Sequence, residues 1–263
     1  MGPSVFLPRA LVQRIVADNF REGKALGEFG LIPLAFLTSC LAGVMGMGGG
    51  ILLITIMPGF IPPAAILPLH AVTQFASNVS RAAFGWRQID WTIIPAFTLG
   101  AAGGAWLGGE LYASLDLQWL PALIGFIILI VVWVPMPKVP GAGQVSLLVL
   151  GFYQTGLGML VGATGPVGAA VLMRRSKARD WLVVNTALYM CINHSLRLTA
   201  FFVLGFAFSP WWLLLCGLIG ASVAGSWLGT RLRGRVPQIN FQRWFKILVT
   251  LLAMRMIVMT VLL

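Results

Sequence analysis

The sequence predicts an all-α integral membrane protein made of two inverted repeats. Each repeat has about four hydrophobic segments and opens with a Gly-interrupted helical hairpin or broken helix. Three observations carry this prediction. Mean hydropathy is +0.91, with 59% hydrophobic and 10% charged residues over 263 positions, a composition outside the range of soluble globular domains. One short pattern occurs late in each half, as GAWLGGEL from Gly104 and GSWLGTRL from Gly225. The loops around equivalent segments carry opposite charge character.

In chain order, residues 1–28 interleave Arg9, Arg14, Asp18 and Arg21 with Leu11, Val12, Ile15, Val16 and Phe20, the spacing of an amphipathic interfacial helix rather than a cleavable signal. Apolar runs follow at 29–58, 62–86, 91–111 and 117–134, which make up a first repeat over 29–135. After a cytoplasmic linker at 136–144, a second repeat over 145–263 holds runs at 145–173, 181–206, 211–232 and 241–263. Most of these runs match the ~20 residues that a spanning helix needs.

Lys and Arg in short loops mark the cytoplasmic side. Arg81 and Arg87 make the loop after the second run basic, whereas Glu110 and Asp116 flank one without Lys or Arg. In the second half the equivalents swap: 207–210 is uncharged, and the later loop holds Arg231, Arg233, Arg235, Arg243 and Lys246. Inversion needs an odd number of crossings between equivalent points, so one segment per repeat must dip in and return. The run 145–173 is long for one crossing and lies between Lys138 and the basic stretch RRSKAR at 174–179, which predicts a hairpin turning at 162–166. By the same logic 29–58 turns at 46–50. Arg9, Arg14, Arg21 and Lys24 argue for a cytoplasmic N-terminus, however, so crossing and re-entry both stay open for 29–58.

Four glycines in VMGMGGGI at 44–51 would each cost about 1 kcal/mol against alanine in a helix interior. Irregular backbone at membrane depth is tolerated only where it is buried in protein or lines a polar cavity. Two opposed turns would offer the free N–H groups of half-helix starts, which suit a small anion. Close helix packing through small residues is the competing use of such glycines. The following runs carry polar stripes: His70, Gln74, Asn78 and Arg81 in one, and Asn185, Tyr189, Asn193 and Arg197 in the other. An offset of 115 pairs His70 with Asn185, Gln74 with Tyr189 and Asn78 with Asn193. An intramembrane arginine marks a functional site by default. Arg197 ranks first on depth, Arg81 can snorkel, and Arg255 ranks third. His70 and His194 are satisfied polar residues or proton carriers.

Other chemistries find little support. The net charge of +11 follows from basic loops, so no nucleic-acid partner is expected. The GxGGG stretch has neither a βαβ context nor a following Lys-Ser/Thr. Cys40, Cys191 and Cys216 read as small apolar residues. No catalytic or metal constellation is present, no cofactor is implied, and a transporter coupled through buried carboxylates is disfavoured.

The stretch AGVMGMGGGILLITIMP at 42–58, the helix bearing Asn78, GGAWLGGEL at 103–111 and GSWLGTRL at 225–232 resemble the sulfite exporter TauE/SafE family, also called the toluenesulfonate uptake permease family. The resemblance covers about residues 29–260. It implies a multi-pass bacterial inner-membrane permease for sulfite, organosulfonates such as sulfoacetate, or related anions. In the second turn Thr164 stands where Gly48 would be, and Pro166 where Gly50 would be.

The candidate substrate site therefore comprises Gly48, Gly49, Gly50, His70, Gln74, Asn78, Thr164, Gly165, Asn185, Tyr189, Asn193 and Arg197. Partners are a small sulfur oxyanion or sulfonate and the lipid bilayer, with proton coupling and a homodimer left open. The alternative from another class is a membrane scaffold or assembly subunit whose glycines only pack helices.

Overall fold

A computed structural model describes residues 27–134, 141, 143–162, 164–235 and 241–262. Most of the N-terminal segment and of the linker lies outside them. The described residues form ten helices and no strand: α1 Leu31–Met45, α2 Gly49–Ile56, α3 Pro63–Phe84, α4 Ile94–Ala113, α5 Leu120–Trp133, α6 Gln144–Val161, α7 Gly165–Leu172, α8 Arg179–Val203, α9 Trp212–Leu232 and α10 Phe241–Leu262.

Helices α1, α6 and α9 lie within stretches long and apolar enough to cross a membrane, and α10 contains one, Arg243–Leu262. Helices α4 and α5, with the turns that precede them, also pass together but meet at 109°. Helices α3 and α8 have the length, at 22 and 25 residues, but are too polar to pass. These two pack against each other and bury His70, Gln74, Asn78, Asn185, Asn193 and Arg197. Polar residues that lipid would not tolerate are thus enclosed by protein.

The glycine-bearing runs turn back. Helix α1 ends at Gly46 (φ 84°), Gly48 follows at φ 94°, and α2 then runs back along α1. Gly49 lies so close to the Thr38 carbonyl that a β-carbon there would overlap it. At the far end Gly30 sits against the Phe60 ring, so the hairpin starts and finishes on one side. The second run repeats this: α6 ends at Gly162 (φ 80°), and Gln154 Nε2 donates across the hairpin to the Thr164 carbonyl at 2.7 Å. Thr164 has φ −117° where Gly48 has +94°. Thr164 therefore needs no left-handed backbone, which explains why a threonine is tolerated there.

Packing is reciprocal between the halves. Helix α4 of the first half lies along α6 of the second, and α9 of the second lies along α1 of the first. Gly104 and Gly108 abut the carbonyls of Phe152 and Gly156, whereas Gly225 and Gly229 abut those of Phe36 and Cys40. The duplicated pattern is thus a small-xxx-small packing face. Its glycines serve helix contact, and the turn glycines serve backbone shape.

The loops sort by charge. At one end Arg175 pairs with Asp90 and Arg233 with Asp180, each at 3.0 Å. Burial opposes ionisation of Asp90, but hydrogen bonds from Thr92 and the Arg175 guanidinium hold its carboxyl below the usual value. At the other end Gly59 approaches the Arg255 guanidinium, and Pro58, Trp119 and Thr260 share a groove with it.

Candidate functional site

Between the two turns lies a cavity of about 40 Å³, room for a few waters or one small oxyanion. The first turn supplies Gly46–Ile51, and α3 supplies His70, Gln74, Asn78 and Arg81. The second turn supplies Gly162, Thr164 and Gly165, and α8 supplies Thr186, Met190 and His194. Eight of the candidate residues line it: Gly48, Gly49, Gly50, His70, Gln74, Asn78, Thr164 and Gly165.

Asn185, Tyr189, Asn193 and Arg197 do not line it, although all four are fully buried. Asn185 donates to the Gln88 and Trp181 carbonyls and accepts from the Asp90 amide, so it ties down the loop after α3. Tyr189 donates to the Gly165 carbonyl at 2.8 Å from outside the cavity. Asn193 donates to Thr155 Oγ1 at 3.0 Å. The residues that do line the cavity, at 186, 190 and 194, stand 116 positions after 70, 74 and 78. The correspondence between helices is therefore 116, not 115. The same offset relates Gly46 to Gly162 at the turns, and that equality was the available signal for Thr186, Met190 and His194.

The offset of 116 also pairs Arg81 with Arg197, and their contacts match. Arg81 Nη1 donates to the carbonyls of Ala42 (3.1 Å) and Gly46 (3.4 Å), and Arg197 Nη1 donates to that of Gly162 (3.0 Å). Three residues before each arginine sits a side-chain acceptor: Asn78 Oδ1 for Arg81, and His194 Nδ1, at 3.1 Å, for Arg197. Each arginine thus holds the left-handed glycine of its own half. Arg81 is only 4% exposed, so it does not snorkel.

Neither arginine has a carboxylate partner among the described residues. The ion pairs among the described residues are the two at the loop end, and helices α1, α2, α6 and α7 carry no acidic or basic side chain. The starts of α2 and α7, at Gly48 and Thr164, have no side-chain cap, so their amide dipoles add positive potential. Several buried polar atoms have no partner among the described residues: Thr164 Oγ1, His70 Nδ1 and His194 Nε2 in the cavity wall, and Arg197 Nε and Nη2, Asn193 Oδ1 and Gln154 Oε1 behind it. A β-carbon at Gly165 would meet nothing within 4 Å. With the Arg81 guanidinium in the wall and two uncapped helix starts the field is positive and the space is small, which is the chemistry of a small-anion site.

No curated protein and no solved structure matches the chain. The family model described as sulfite exporter TauE/SafE matches residues 31–256, and with that span covering most of the sequence the chain belongs to the sulfite exporter TauE/SafE family.

Proposed function

We propose that this multi-pass protein is a secondary transporter of a bacterial inner membrane. Its substrate is a small sulfur oxyanion such as sulfite, bound near the midplane between the two turns. The observation that carries this reading is the pair of repeat-equivalent buried arginines without carboxylates, beside two uncapped helix starts. An unpaired buried charge costs several kcal/mol, and a bound anion supplies the missing partner. The size of the cavity favours an inorganic oxyanion over a longer sulfonate such as sulfoacetate. A scaffold reading accounts for Gly104, Gly108, Gly225 and Gly229 but leaves the arginines unexplained.

Uptake of labelled sulfite, sulfoacetate and taurine into proteoliposomes tests this. Sulfite flux that saturates and exceeds that of the other two is expected. No flux of any anion under any gradient would return the protein to the scaffold class.

The repeats over 29–135 and 145–263 are proposed to be inverted, with the basic loop end cytoplasmic. A single cysteine at position 176 should then resist an impermeant thiol reagent added to intact cells, and one at position 208 should react. Labelling at 176 from outside would overturn the inversion.

A further inference from the structure

Two fully buried histidines face each other across the central helices, His70 on α3 and His194 on α8, with ring centroids 6.0 Å apart in an edge-on arrangement. Both line the cavity, and their partners define which ring nitrogen carries hydrogen. His70 Nε2 lies 3.0 Å from the Gly50 carbonyl oxygen, which can only accept. Nε2 therefore bears the proton, and in the neutral ring Nδ1 presents a lone pair. His194 Nδ1 lies 3.1 Å from Arg197 Nη1, which can only donate, so Nδ1 is the acceptor and Nε2 bears the proton. The two nitrogens left over, His70 Nδ1 and His194 Nε2, have no protein partner. One is an acceptor and the other a donor.

That acceptor is out of place in a purely anion-binding site. An anion without a proton would bring an oxygen lone pair against the lone pair of His70, and a water in the same place would leave the arginines uncompensated. An oxyanion that keeps one proton satisfies both histidines and the charge together. The acidic and basic groups facing the pair are Arg81 and Arg197 from α3 and α8. Helices α1, α2, α6 and α7 present carbonyls, amides and hydroxyls there, with no acid or base. Glu110 of α4, which packs on α8, is exposed, so among the described residues no carboxylate is at hand to protonate the histidines in the substrate's stead.

Resting on the transporter reading above, we infer that the site selects the singly protonated monoanion of its oxyanion: for sulfite, hydrogensulfite. Its hydroxyl donates to His70 Nδ1, and an anionic oxygen accepts from His194 Nε2–H. The proton then crosses with the anion, which joins substrate recognition to proton movement without a carboxylate relay.

The test is binding to the purified full-length protein in detergent, with sulfite and methanesulfonate titrated over a pH series that spans the ionisation of hydrogensulfite. Methanesulfonate is similar in size and charge but has no proton to donate. Above that ionisation the apparent Kd for total sulfite should rise about tenfold per pH unit, while methanesulfonate binds more weakly and stays flat. If both anions weaken together, a protein group is titrating; if sulfite affinity holds or improves as the dianion takes over, the dianion is the ligand. Either result overturns the inference and leaves the transporter reading standing. If neither anion binds at any pH, the transporter reading itself fails, and the inference with it. His70→Gln keeps both an amide donor for Gly50 and an oxygen acceptor, so it should preserve the preference for sulfite. His70→Leu should bring the two affinities together. A His70→Leu protein that still prefers sulfite with the parental pH slope would refute the role of His70.

Discussion

Arg197→Gln should lower sulfite affinity by about thirtyfold or more without lowering the melting temperature of the empty protein. In the proposed mechanism the guanidinium, behind the cavity wall, supplies positive potential to the anion and orients His194 through its contact with Nδ1. Removing one partner of a buried charged contact costs roughly 2–5 kcal/mol, which is roughly thirtyfold to several thousandfold in Kd. In the empty protein the same change removes a charge that has no carboxylate opposite it, so little stability is lost. Glutamine still offers an N–H to the Gly162 carbonyl, which Arg197 now holds at 3.0 Å. Arg197→Lys keeps the charge but loses the planar fork and should fall between parent and Gln. The readout is the rise in melting temperature on adding sulfite, which scales with occupancy: large for the parent, reduced for Lys and close to zero for Gln. A Gln variant stabilised by sulfite as much as the parent would make Arg197 a purely structural residue.

Gly162→Ala should destabilise the fold by about 2–5 kcal/mol. The backbone there has φ 80°, and a left-handed conformation costs an alanine about 1–2 kcal/mol. Its β-carbon would run into Ile54 Cδ1 and approach Leu67 Cδ2 at 3.0 Å and His70 Nδ1 at 3.3 Å, and overpacking of this kind adds about 1–3 kcal/mol. Gly46→Ala, at φ 84° against the Val183 side chain, should behave alike. Gly165→Ala is the control, since nothing lies within 4 Å: it should fold normally. Thermal unfolding in detergent separates the cases, and a Gly162→Ala protein as stable as the Gly165→Ala protein would contradict the turn geometry.

The two turns were legible in the sequence because few residues besides glycine accept a positive φ, so VMGMGGG could hardly continue a helix. The second turn, poorer in glycine, was legible only through its offset from the first. The polar stripe on α8 was read one residue out of register. A single residue rotates a helix by about 100°, which is enough to move Asn185, Tyr189 and Asn193 from the cavity to the faces that brace the loop after α3 and the second hairpin. Nothing local distinguishes those faces, because both carry hydrogen-bonding side chains at four-residue spacing. Arg81 reads as an interfacial cation by its place near the end of α3. It is buried because the first turn, about 35 residues earlier in the chain, reaches down to its level, and such a contact has no sequence signature. GAWLGGEL and GSWLGTRL were visible as a repeat, but that each packs against the opposite half depends on long-range pairing.

That crosswise packing sets a timetable for biogenesis. Helix α1 ends at Met45, and α9, the helix whose glycines close over it, begins only at Trp212. At 5–20 residues per second, the ribosome delivers α9 roughly ten to thirty seconds after α1 has entered the bilayer. Throughout that interval the first hairpin waits with an uncovered small-residue face and polar turn amides in a medium that cannot satisfy them. The second hairpin does not wait, because α4 is already in place when α6 emerges. The nascent first half is therefore the stage at which this protein depends most on the insertion machinery for shelter.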